Sequence, residues 1–114
     1  MDTSSQKKAP ITIDFDLHTD GDEEFKRELV TLMIDNMKEL QESLRQSIAR
    51  GTFQLFRECC HKITPTINIL DYKQFTDVIN EIKNEVDENK RKNAIATCNQ
   101  LSEEIITSLQ HEIA

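Results

Sequence analysis

One apolar stripe constrains this chain more than any other feature. Phe25, Leu29, Met33, Met37, Leu40, Leu44 and Ile48 recur every three or four residues. That spacing keeps them on one face of an α-helix for about seven turns, and Leu32 and Ile34 widen the face. The predicted helix runs from about Glu23 to Arg50. Acids crowd its start, where the helix dipole is positive, and Asp20 or Asp22 is the expected N-cap. At the far end Arg50 falls in the last turn and Gly51 stops the helix. Thr52 is then the expected cap of the next one.

Three more amphipathic segments follow. Phe53, Phe56, Cys60, Ile63, Ile67 and Leu70 alternate spacings of three and four, a seam typical of helix bundles. Pro65 interrupts the hydrogen-bond ladder inside that seam. Because the seam runs unbroken through Ile63 and Ile67, a bent but continuous helix is expected rather than a restart at Thr64-Pro65. The third helix runs from about Tyr72 to Val86, with Phe75, Val78, Ile79, Ile82 and Val86 inward. A polar joint, residues 87–93, leads to a fourth helix from about Lys90 to His111. Its inward residues are Ala94, Cys98, Leu101, Ile105 and Leu109. Upstream, Ile11, Ile13, Phe15 and Leu17 alternate with polar residues but find no partner strand, so they read as an extended arm or short helix on the bundle. The expected fold is all-α: an antiparallel four-helix bundle over residues 13–114, with residues 1–12 as a flexible tail.

Composition narrows the function classes. Two glycines and two prolines in 114 residues are too few for an all-β sandwich. No GxGxxG or GxxxxGK[ST] string is present, so the common phosphate cradles are absent. A net charge of −7 repels phosphate backbones and anionic lipid, so neither nucleic acid nor membrane is an expected partner. No apolar run approaches the ~20 residues of a membrane span, and Met1 to Pro10 lacks the apolar core of a signal peptide. A cytoplasmic protein is expected.

Cys59, Cys60 and Cys98 are odd in number and form no CxxC, so they read as buried hydrophobes in a reducing compartment. Cys59, Cys60 and His61 are consecutive, and on a helix their side chains diverge by about 100° per residue. They do not converge on one metal, and no metal site or cofactor is expected. His18 sits in the arm and His111 in the last helical turn, where ordinary surface roles suffice. His61 is different. It falls about 130° from the seam of the second helix, so it faces solvent in the middle of a long helix. Glu58 lies one turn back, but no serine or cysteine nucleophile shares the face, so a hydrolase-type triad is not suggested. Pro65, four residues on, disturbs the backbone beside it.

These residues resemble the histidine-containing phosphotransfer (HPt) family. The segment is Cys59-Cys60-His61-Lys62-Ile63-Thr64-Pro65-Thr66-Ile67-Asn68-Ile69-Leu70. The family pattern is a small residue, His, any residue, an apolar residue, Lys, Gly and a small polar residue. Cys60, His61, Ile63 and Thr66 fit it. Pro65 replaces the glycine, and Thr64 stands at the lysine position. Gly21-Asp22-Glu23-Glu24-Phe25, opening the long helix, resembles the start of the family core, and Ile13 to Leu17 the segment before it. The likeness spans most of the chain from about Ile11.

The resemblance implies a phosphorelay intermediate that needs no catalytic machinery or cofactor of its own. His61 would be the phosphoacceptor. The implied partners are response-regulator receiver domains and a hybrid sensor histidine kinase. A neutral imidazole is a good nucleophile, and a receiver brings its own metal ion and lysine. With Thr64 at the lysine position, Arg57, one turn back on the same face, is the first expected substitute for shielding phosphate charge, and Lys62 the second. Thr64, Pro65, Asn68 and Gln54 complete the expected phosphate or docking surface, with Leu55 and Ile69 as an apolar rim. Thr64 and Pro65 equally fit a second expectation, a bundle that acts only by docking partners.

Overall fold

A computed structural model describes residues 13–114, and the expected tail, residues 1–12, lies outside the described residues. The described chain is all-helical. Its six helices are α1 (Phe15–Thr19), α2 (Glu23–Arg50), α3 (Gln54–Lys62), α4 (Thr64–Leu70), α5 (Lys73–Asn84) and α6 (Glu88–Glu112). No strand occurs among the described residues. The arm is therefore a short helix, opened by Asp14, whose carboxylate accepts from the Leu17 amide at 3.2 Å.

The long helix α2 keeps its expected bounds because both ends are chemically specified. Asp22 Oδ1 accepts from the Phe25 amide at 3.0 Å, and Gly51 adopts φ +75°, a left-handed conformation that a β-carbon disfavours. The Gly51 N–H then reaches back to the Ser47 and Ile48 carbonyls. Helix α2 packs against α1, α3 and α6, and α5 packs against α6. Val30, Met33, Met37, Leu40, Phe56, Phe75, Ile82, Ile105 and Leu109 are wholly buried at the centre.

Departures from the expected stripes have local causes. Phe25 and Ile48 are about half exposed, at 48% and 49%, and Leu32 is 55% exposed. At 1.5 Å per residue α2 is about 42 Å long, several times the length of α3, so its faces outrun the helices that cover them. Val86, expected inward, is 89% exposed. Helix α5 ends at Asn84, and Glu85 turns extended (φ −75°, ψ 136°), which carries Val86 off the helical face. The polar joint is shorter than expected. Asp87 accepts from the Asn89 and Lys90 amides at 2.9 and 3.1 Å, so α6 opens at Glu88.

Two expectations about the second helix are corrected. Thr52 is not its cap. The helix starts one residue later, at an N-cap, Phe53, that has no side chain able to accept. Ser47 of α2, fully buried, accepts from the Phe56 amide at 3.1 Å instead. An N-cap side chain is thus supplied by a neighbouring helix. Ser47→Ala is expected to cost about 1–2 kcal/mol in urea unfolding, in the range of a lost cap. Nor is the helix continuous. It breaks at Ile63 (φ −97°, ψ 16°) into α3 and α4, with Pro65 in the first turn of α4. Proline tolerates that position because the first amides of a helix have no partner to lose. Ile63 and Ile67 still bond to Cys59 and Ile63 across the break, at 2.9 and 3.1 Å, which is why the apolar seam passes through it.

Candidate functional site

The break sets His61 in the last turn of α3, exposed to solvent. Pro65 has no N–H to offer the His61 carbonyl, four residues back. The Thr64 hydroxyl takes over that task. It donates to the His61 carbonyl at 2.8 Å and to the Cys60 carbonyl at 3.1 Å. Thr64 is therefore occupied with the backbone that carries His61. Behind it, Thr66 is buried and its hydroxyl accepts from Asn36 Nδ2 of α2 at 2.8 Å, tying α4 to the long helix.

His61 borders a groove of about 420 Å³ between α3–α4 and α5. Its other walls are Arg57, Cys60, Thr64 and Ile67 on one side, and Thr76, Ile79, Asn80, Lys83 and Asn84 on the other. Among the described residues no carboxylate lines it. The acids of α5, Asp77 and Glu81, fall outside the groove, and Asp77 pairs with Lys73 at 2.7 Å.

The expected site residues divide around this groove. Arg57 lines it beside His61, and its guanidinium donates to the Lys83 backbone carbonyl. The last carbonyls of a helix lack internal partners, so Arg57 caps α5 from α3 and suits the negative end of its dipole. Lys62 points the other way and pairs with Glu39 of α2 at 2.9 Å. Gln54 donates to Glu58 at 3.0 Å and does not line the groove. Pro65 and Asn68 are exposed on α4, outside the groove walls. Leu55 and Ile69 are half-buried and also lie outside those walls. Ile69 packs against the core cluster, which accounts for its burial.

Sequence reasoning missed the α5 wall. Thr76, Asn80, Lys83 and Asn84 recur at helical spacing, so they share one face. The available signal was that this face carries no acid, whereas Asp77, Glu81 and Glu85 repeat every four residues on another.

The three cysteines are free and buried. Burial pushes the Cys60 thiol up to about 12, against the pull of the Lys83 ammonium, and the Cys98 thiol up to about 11. Both stay protonated and non-nucleophilic near neutrality. Unfolded thiols ionise near pH 9, so above that value the unfolded chain releases protons that the folded chain keeps. Stability is accordingly unaffected by these groups below about pH 9 and falls as pH rises toward their folded values. Urea unfolding under reducing conditions should show this decline setting in at about pH 9 and continuing above it, and a Cys60→Ala/Cys98→Ala variant should make it shallower.

Among the described residues no group of three or more His, Cys, Asp or Glu side chains is placed to hold a metal ion. Nor is any described helix long and apolar enough to cross a membrane. No family model, curated protein or solved structure matches the chain.

Proposed function

We propose that this chain is a phosphorelay intermediate of the HPt kind. His61 accepts a phosphoryl group from a receiver-domain aspartate and passes it to another receiver. The fold, on this reading, is an antiparallel four-helix bundle whose rods are α2, the α3–α4 pair, α5 and α6, with α1 as a short N-terminal helix. One observation carries the proposal. An exposed imidazole stands in a groove bordered by Arg57 and Lys83 and, among the described residues, by no carboxylate, in a chain of net charge −7. An anion is therefore tolerated at this place on an otherwise acidic molecule.

In the transfer step a ring-nitrogen lone pair attacks phosphorus. The bond between phosphorus and the aspartyl oxygen breaks, and the aspartate leaves as a carboxylate. The receiver supplies the metal ion and lysine that stabilise the transferring group, so the chain acts as a carrier rather than an enzyme. Its partners are response-regulator receivers and a hybrid sensor kinase, and its place of action is the cytoplasm.

A second reading, docking without phosphorylation, is favoured by the commitments of two residues. Thr64 stands at the lysine position of the HPt pattern and gives its hydroxyl to the backbone, and Lys62 is paired with Glu39. Incubation with a phosphorylated receiver domain separates the readings. The relay reading expects acid-labile, alkali-stable phosphate on the chain. No label, under conditions that label an established HPt domain, would leave only docking.

A further inference from the structure

Of the bases near His61, two are already engaged. The Arg57 guanidinium is bonded to the Lys83 carbonyl, and the Lys62 ammonium is paired with Glu39 on the α2 side. Lys83 is the third. It is half-buried in the groove wall, and among the described residues no carboxylate lies within ion-pair distance of its Nζ. Lys83 and Cys60 line the same groove, and the Lys83 charge pulls against the effect of burial on the Cys60 thiol. No described carboxylate neutralises this positive charge, so an anion entering the groove is favoured there. Asn80, Asn84 and Thr76 add neutral hydrogen-bonding groups on the same wall.

We propose that Lys83, reaching from α5, is the cation that receives the phosphoryl oxygens at His61, and that the α3–α5 groove is a phosphate subsite. The identification of His61 as acceptor rests on the function proposed above; the subsite itself does not. Arg57 acts here as a positioning residue, because its bond to the Lys83 carbonyl fixes the end of α5 against α3.

Two measurements on the full chain keep these claims apart. The first is titration with inorganic phosphate, followed by amide NMR against sodium chloride at matched ionic strength. Shifts should gather at Arg57, His61, Lys83 and Asn84. Lys83→Gln should weaken the apparent affinity by about five- to tenfold, and Lys83→Arg should restore it, as expected for loss and return of one charge-assisted hydrogen bond. The second is labelling by phosphoramidate. Its P–N bond breaks, a bond from phosphorus to a His61 ring nitrogen forms, and ammonia leaves. Lys83→Gln should slow this labelling by a similar factor. Phosphate shifts that ignore Lys83→Gln, or that scatter over the surface, would overturn the subsite. A wild-type chain that binds phosphate at Lys83 but never labels at His61 would keep the subsite and overturn the relay. Normal labelling in Lys83→Gln would keep His61 as acceptor and overturn the role given to Lys83.

Discussion

Phe56→Ala is expected to lower the free energy of unfolding by about 3–5 kcal/mol, the range for truncating a fully buried aromatic. Phe56 is wholly buried, and α3 spans only nine residues, with Cys59 and Cys60 as its other buried side chains. Most of the apolar area holding α3 to the core therefore comes from this ring. The cavity left behind resists collapse. The Phe56 amide is bonded to the buried Ser47 hydroxyl, so the backbone there is held against α2. Phe56→Leu, which keeps part of the volume, should cost less. Urea unfolding monitored by circular dichroism measures both, at an unchanged m-value if the folded and unfolded states keep their exposed areas. A loss below about 1 kcal/mol in Phe56→Ala would mean that α3 is held by something other than its apolar face.

His61→Gln should have the opposite profile, leaving stability within about 0.5 kcal/mol of the parent, as for most exposed positions. The His61 side chain faces solvent, and it is the backbone carbonyl, not the ring, that Thr64 secures. Phosphate uptake, however, should disappear entirely, because glutamine offers no nucleophilic nitrogen. His18 and His111 remain in that variant, so they serve as an internal control for adventitious labelling. Retained label in His61→Gln would remove His61 from the account.

Much of the fold was legible because helix ends carry their own chemistry. The α2 bounds follow from Asp22, Arg50 and Gly51, each acting on groups within a few residues. The break at Ile63 was not legible from the apolar seam. Hydrophobic periodicity reports which face is buried, and a one-residue break that keeps its flanking hydrogen bonds does not shift that face. Pro65 was the local signal, and its meaning depended on the Thr64 hydroxyl, whose two carbonyl partners only the structure displays. Thr52 misled for the reverse reason. Its type is right for a cap, but Ser47, on another helix, occupies the role. The site divides in the same way. Position on the helix gave the exposure of His61 and its proximity to Arg57, both local to α3. Lys83 comes to the groove only through the packing of α5, a tertiary fact that no helical wheel contains.

In the proposed relay the phosphate resides on His61. Trypsin cuts after Arg57 and Lys62, which isolates the peptide Glu58-Cys59-Cys60-His61-Lys62 with a single histidine. The wild-type chain should be incubated with a phosphorylated receiver, digested at alkaline pH and read by mass spectrometry. The account predicts one phosphoryl group on that peptide, lost on brief acid treatment and lost equally when fresh unphosphorylated receiver is added before digestion. Phosphate found on any other peptide, or on none while the receiver keeps or hydrolyses its own, would contradict it.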